Sequence, residues 1–432
     1  MRNPRSRRTL VTIAGLVAAS TVLTSCGFSS GSGGTNNGAD LRVVWWGDDT
    51  RAQATQAALA FIEESNSGYT LTGEGSSYDG YFEKLATQFA GGTAPDIIQF
   101  NVGASLLQFG SEGVLLPLDE FLGDQLDVSE YEEFLEYGRI DGVTYGIPLS
   151  QTTFAAIYRP EQFEAWGVDA PSSNWDWDDF ERLCKEVVAA SGGVACSVDP
   201  SMEQVNYEMW HYGKTGKNLY DAEGARQDSP ELLEEWFQMW ADYRADGLIV
   251  SPDVQVVHRL GDTATSPLVT GAAAIAFDYS TTFPSYAPLL GSVPSLATVP
   301  ASGSYPNAYI SPTSMWSVNA ETSNPEAAIV VVDALINDPE VLDMLGMTRG
   351  VPISSVALDI VSPTLDEAQS KLVEFLDQAR QGELRPLSVD LPTAAAEIDS
   401  LFRRVGEEVA FATVSPAEGA KSFFDQASAL LK

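Results

Sequence analysis

Histidine is almost missing from this 432-residue chain, which holds only His211 and His258. Two imidazoles so far apart in sequence do not make a His-rich metal site, and no His-Glu-x-x-His occurs. Also absent are a Gly-x-Ser-x-Gly elbow and a Gly-rich phosphate loop of the P-loop form, which removes two common catalytic frameworks. Basic residues are scarce as well: 24 Lys and Arg stand against 60 Asp and Glu, a formal charge of −36. So acidic a surface repels phosphate backbones and excludes nucleic acid as a partner. With 60 acidic residues, chance carboxylate pairs are easy, so a pair of the kind used in glycoside hydrolysis carries no signal. The expectation is a protein that is not an enzyme and needs no metal or cofactor.

Long apolar runs are missing too, with one exception at the start. Arg2, Arg5, Arg7 and Arg8 precede an apolar stretch from Leu10 to Leu23 and then Thr24-Ser25-Cys26. This order is that of an export signal, too short and too lopsided in charge for an ordinary span. Leu23-Thr24-Ser25-Cys26 resembles the lipobox of bacterial lipoproteins, which implies cleavage before Cys26 and acylation of its sulfur. Residues 1–25 are then the signal peptide and residues 26–38, rich in Ser, Gly, Thr and Asn, a flexible tether. Loss of the four arginines takes the formal charge to −40. Later in the chain Ala327–Ile336 is far too short to span a bilayer. The expected location is the extracytoplasmic face of the cell membrane, held by lipid. Only Cys184 and Cys196 then remain; in an oxidising compartment they pair as a disulfide, the alternative being two buried thiols.

About 390 residues exceed what one hydrophobic core usually organises, so two lobes are expected. Leu41–Trp46 reads as a buried strand, followed by a helix with Ala54, Ala57, Ala58, Phe61 and Ile62 on its apolar stripe. A strand near Tyr69–Thr72, a helix holding Tyr78, Tyr81, Phe82, Leu85 and Phe89, and the strand Pro95–Phe100 continue an α/β alternation. Helices dominate from Arg159 to about Gly247, marked by Trp166, Trp175, Trp177, Trp210, Trp236 and Trp240. Ala274–Phe277 returns as strand, and Asn324-Pro325 starts a helix by capping.

Five segments in order carry a resemblance: Trp45-Trp46-Gly47, Gly92-Thr93-Ala94-Pro95-Asp96-Ile97-Ile98, Gly142-Val143-Thr144-Tyr145-Gly146-Ile147-Pro148, Tyr158-Arg159-Pro160-Glu161-Gln162-Phe163 and Gly271-Ala272-Ala273-Ala274-Ile275. Together they resemble the extracellular solute-binding proteins of bacterial ABC importers, in the carbohydrate-binding, maltose-binding-like group (family 1). The resemblance implies an α/β, two-lobed periplasmic-binding-protein-like fold with a multi-strand hinge (type II). Residues 39–150 and 281–348 would form lobe one, and 151–280 and 349–432 lobe two. It also implies a monomer that clamps a mono- or oligosaccharide between the lobes and delivers it to the transmembrane subunits of an ABC permease. Arg159 stands where the group commonly has Asn. No basic cluster of the sort that suits a phosphorylated sugar is evident.

Sugars offer apolar C–H faces and a ring of hydroxyls, so aromatic rings and hydrogen-bonding side chains at the carboxyl ends of strands are the candidates. Trp46 and Asp48 leave the first strand; Trp46 also suits core packing and Asp48 a helix cap. Tyr78 and Asp79 follow the second strand, Asp79 equally as a cap. Asn101 ends the third, and Gln151 lies at the first crossover. Trp210 sits on a middle-lobe helix, Asp278 and Tyr279 end a strand near the second crossover, and Trp316 follows Ser311–Met315. Arg349 lies near the last hinge segment, where a guanidinium can hold vicinal hydroxyls or a carboxylate. Two other functions fit the same sequence. One is this fold binding a polyamine or other small solute; the other is a non-transport surface lipoprotein that binds a protein.

Overall fold

The computed structural model describes residues 38–431 apart from 79, 173, 307 and 388–390. The expected signal peptide and tether up to residue 37, with Cys26, lie outside the described residues, as does the candidate Asp79. Two separate sheets organise the rest. The first runs in the order Tyr69–Ser76, Ala39–Trp46, Ile97–Asn101, Ser314–Val318, Ile147–Pro148. Its first three strands are parallel, and Ser314–Val318 enters antiparallel against Ile97–Asn101. The second has the order Ser295–Ala297, Phe154–Tyr158, Ala273–Tyr279, Ala195–Ser197.

A third, three-stranded sheet carries the chain between them: Ser311–Pro312, Ser150–Thr152 and Val351–Pro352, all antiparallel. Each strand is two or three residues long and lies between segments of the two larger sheets or their helices. Two α/β lobes joined by a multi-strand hinge result, as the resemblance implies. One boundary differs from the expected partition. Ser295–Ala297, expected with 281–348 in lobe one, hydrogen-bonds to Ala156–Tyr158 of the second sheet. The chain returns to the first sheet only after Ser311–Pro312.

Side-chain alternation along Ala39–Trp46 sets up the faces of the first sheet. Leu41, Val43 and Trp45 join one cluster with Ala58, Leu59, Ile62 and the helix Pro325–Asn337. Val44 faces the other way, with Tyr81, Leu85, Ile98 and Phe100, and Trp46 packs against this second cluster. The helix Asp49–Ser65 buries Thr55, Ala58, Leu59 and Ile62, a stripe of i, i+3, i+4, i+7 spacing. That stripe is rotated from the expected one because Thr55 faces inward. Its hydroxyl is satisfied there, donating to the Arg51 carbonyl at 2.8 Å and accepting from Arg349 Nη2 at 2.9 Å.

The second lobe is built on tryptophan. Trp177, Trp236 and Trp240 meet edge to face at 5.5–6.2 Å between centroids, over Phe180 and Phe277. Cys184, on the helix Trp177–Ser191, and Cys196, in the strand Ala195–Ser197, form a disulfide with a Cα–Cα distance of 4.8 Å. Among the described residues no helix is long and apolar enough to cross a membrane.

Closing a loop across 12 residues of sequence restricts the unfolded chain by about 3 kcal/mol. The double variant Cys184→Ala/Cys196→Ala is therefore expected to lose roughly that much stability in urea unfolding, and dithiothreitol to lower the wild-type midpoint while leaving the variant unmoved.

Candidate functional site

The carboxyl ends of the first sheet's parallel strands and the loops of the second lobe enclose a cleft with the hinge sheet as its floor. It has two halves. One, of about 1410 Å³ and open to solvent, is lined by Tyr78 and Asn101 from the first sheet, by Tyr137 and Arg139, and by Glu208, Tyr279, Tyr309 and Arg385 from the second lobe. The other, of about 1240 Å³, is lined by Trp46, Asp48 and Arg51 on one side and Gly261, Thr282 and Gln369 on the other, with Arg349 at its base. Thr281 and Thr313 line both halves and so mark where they join.

The wall contributed by the first sheet is aromatic. Trp46 meets Tyr78 at 5.6 Å, Tyr81 at 5.3 Å and Phe82 at 5.9 Å. Tyr81 is anchored because its hydroxyl donates to the Gln99 carbonyl at 3.0 Å. Tyr78, at the rim, is 52% exposed, and its phenol oxygen accepts from Asn101 Nδ2 at 3.2 Å. Asn101 Oδ1 has no partner among the described residues. On the second lobe Tyr279 packs edge to face on Phe154 at 5.2 Å. The Arg385 guanidinium lies 4.9 Å over Tyr309 and 3.1 Å from Glu208. Arg385, Glu208, Tyr137, Tyr309 and Arg51 were not among the sequence candidates. Arg385 follows the helix Glu367–Gln381 in an irregular stretch, where no periodicity singles it out.

Asp48 is the N-cap of the helix Asp49–Ser65, its Oδ1 accepting from the Arg51 N–H at 2.9 Å, and it also lines the cleft. Arg51 Nε donates to the Thr348 carbonyl at 2.9 Å and Nη1 to the Trp46 carbonyl at 2.8 Å. Arg349 is nine-tenths buried. Its Nε donates to Gln99 Oε1 and its Nη2 to Thr55 Oγ1, both at 2.9 Å, and its guanidinium lies 5.0 Å over Trp316. Burial, and after it the like charge of Arg51, push the Arg349 guanidinium below its ordinary pKa.

Four expected ligand contacts lie elsewhere. Trp210 is 4% exposed, stacked on Tyr207 and packed on Trp236 in the second-lobe core. Trp316 is buried within the first sheet, where it supports Arg349 from beneath. Gln151 is held on both ends of its amide, donating to the Pro352 carbonyl at 2.9 Å and accepting from Arg380 Nη2 at 2.6 Å. Asp278 is fully buried and accepts from Gly261 N–H, Tyr279 N–H and the Tyr286 hydroxyl at 2.8–3.2 Å. Trp46, Asp48, Tyr78, Asn101, Tyr279 and Arg349 are brought to the cleft. Among the described residues no group of His, Cys, Asp and Glu is placed to hold a metal ion.

The family model for bacterial extracellular solute-binding proteins matches residues 56–371, most of the chain, and the protein belongs to that family. A putative binding protein of Brucella abortus (strain 2308) is 29% identical over 157 residues, 35% of this chain and 38% of that protein. The match thus spans well under half of that curated relative. Among solved structures, a family 1 extracellular solute-binding protein from Alicyclobacillus acidocaldarius is 25% identical with a TM-score of 0.71, covering 91% of this chain and 98% of that one. An oligogalacturonide-binding protein from Yersinia enterocolitica, solved with saturated digalacturonic acid, has a TM-score of 0.79 at 23% identity, with the same coverage.

Burial pushes the Asp278 carboxyl up to about 6, against hydrogen bonds from Tyr279, Tyr286, Thr282 and Gly261 that favour its charge. A carboxyl whose folded pKa is raised adds stability below its unfolded value near 4 and loses it as pH rises through about 6. Asp278→Asn removes that dependence. Urea unfolding at pH 4.5 and pH 7 is expected to show the variant gaining on wild type with rising pH. The gain is roughly 2 kcal/mol, because stability falls by up to about 1.4 kcal/mol per pH unit while only the unfolded carboxyl is ionised. An unchanged gap refutes it.

Proposed function

We propose that this protein is a lipid-anchored receptor that binds a carbohydrate in its interlobe cleft and delivers it to an ABC permease. The observation that carries the carbohydrate reading is the half of the cleft lined by Tyr78, Tyr137, Tyr279 and Tyr309 together with Asn101, Glu208 and Arg385. Aromatic faces suit the C–H faces of a pyranose, and amide, carboxylate and guanidinium groups suit its hydroxyls. The saccharide in the Yersinia neighbour supports the same class. In this reading the lobes divide at the hinge sheet, with 281–310 moving with lobe two. Ligand contacts to both lobes stabilise the closed state over the open one, which is what closure requires. The protein acts by binding, as a monomer, without catalysis.

A polyamine is disfavoured because the cleft's charged lining is mostly arginine: Arg51, Arg139, Arg349 and Arg385 against Asp48 and Glu208. A protein-binding role is disfavoured because the cleft is open and large apolar side chains at the surface, such as Val257, Leu289 and Phe411, are scattered.

Tyr78 is half exposed, so Tyr78→Ala is expected to leave the melting temperature within about 2 °C of wild type, as surface changes do. If Tyr78 stacks on the sugar, calorimetric titration with the best oligosaccharide from a thermal-shift panel weakens about tenfold, roughly 1.4 kcal/mol. Full affinity in the variant removes Tyr78 from the site. The anchor is tested separately: Cys26→Ala is expected to move the protein from the membrane fraction to the medium with sugar affinity unchanged. Retention at the membrane refutes lipidation at Cys26.

A further inference from the structure

Thirteen arginines lie among the described residues, and eleven of them have a carboxylate within 4.0 Å. The two without one among the described residues are Arg51 and Arg349. In a chain with 60 acidic residues, carboxylates are the most available counter-charge. Yet these two guanidiniums sit together, lining the same half of the cleft. The charge of Arg51 acts on Arg349, the carboxylate of Asp48 acts on Arg51 but not on Arg349, and Arg349 Nη1 is buried with no hydrogen-bond partner among the described residues. Neutral acceptors satisfy the rest of the arrangement: Gln99 and Thr55 for Arg349, the Thr348 and Trp46 carbonyls for Arg51. A buried guanidinium without an anion is costly, because its lost hydration is not repaid. A cleft that keeps one is suited to a counter-charge supplied from outside the chain.

We propose that this counter-charge is the carboxylate of the ligand, so that the solute is an acidic saccharide, a sugar acid or an oligosaccharide bearing a uronate. Charge arithmetic selects the carboxylate. The charged side chains lining this half of the cleft are Asp48, Arg51 and Arg349, a net of +1, which one monoanion neutralises. Arg51 makes the direct contact: two of its five N–H groups are taken by carbonyls, and a planar guanidinium offers a carboxylate two parallel bonds. Arg349, behind it, adds its field through a medium of low dielectric. The tyrosine-lined half then takes the neighbouring sugar rings. This inference rests on the carbohydrate reading above and narrows it.

The test is calorimetric titration of the full chain with galacturonic and glucuronic acids and their disaccharides, the methyl esters of the same compounds, galactose, cellobiose and galactose 6-phosphate. The acids are expected to bind at least tenfold more tightly than their methyl esters, which keep shape and lose charge, and to weaken as NaCl rises from 20 to 500 mM. Arg51→Gln, with its fold checked by circular dichroism, is expected to weaken the acid at least tenfold more than it weakens the ester, so that the two affinities converge. Arg349→Gln also alters the hinge and is read only by its salt dependence, which is expected to flatten. Acid and ester binding alike, or galactose 6-phosphate outranking every uronate, overturns the proposal. Neutral sugars binding while the acids do not overturns it and leaves the carbohydrate reading standing. No binding by any compound of the panel overturns both.

Discussion

The Arg349 carbonyl accepts hydrogen bonds from hydroxyls on both of the other crossing segments, Ser150 Oγ at 2.7 Å and Thr313 Oγ1 at 3.3 Å. The side chain of the same residue runs into the first lobe, to Gln99 and Thr55. One residue therefore registers three hinge strands with respect to one another and fixes all of them to the first sheet. Strands of two or three residues have few ladder bonds of their own, so side-chain hydroxyls carry much of the register. That placement also governs the cleft, because Thr313 and Thr281, which join its halves, stand on either side of this junction. Gly350, at φ 110°, lets the chain turn directly after Arg349, and a Cβ there would come within 3.0 Å of Thr281.

Burying a guanidinium for this purpose has structural consequences in the first lobe. Gln99 and Thr55 are fully buried polar residues on a strand and a helix that are otherwise apolar toward the core. Both are explained by Arg349, and Trp316 beneath it supplies a cation–π face. Trp316 thus belongs to the support of the hinge. Asp278 does similar work on the second lobe, where its carboxylate gathers the Gly261 and Tyr279 N–H groups and the Tyr286 hydroxyl.

The sheet-forming segments of the first lobe were legible because period-2 alternation and strand-exit position are local properties. They set Trp45 into the core and brought Trp46, Tyr78 and Asn101 to the cleft. The aromatic and polar residues that went elsewhere mislead for a common reason. Trp210, Trp316 and Asp278 have side chains that suit a sugar, but those same properties suit a core, and only tertiary contacts decide. Gln151 lies at a hinge strand as expected, yet Pro352 and Arg380, some 200 residues away, occupy its amide. Arg51, on the first turn of a helix after a cap, reads as a solvated charge; nothing local says that the chain returns at Thr348 to cover it. The pairing of 295–297 with the second sheet is likewise non-local and leaves no trace in the local pattern.

The distribution of charge also separates what the whole chain shows from what the ligand meets. A formal charge of −36 suggests a cationic solute if the molecule is treated as uniform. At physiological salt, however, exposed charges are screened over about 8 Å, so acidic side chains on the outer faces contribute little inside the cleft. Groups in contact with the ligand, in a partly desolvated space, act at short range and low dielectric. Arg51 and Arg349 line the cleft, the two described arginines whose guanidiniums are held by neutral acceptors alone. The acid excess is thus a property of the outer surface, while the charged lining of the cleft is mostly of the opposite sign.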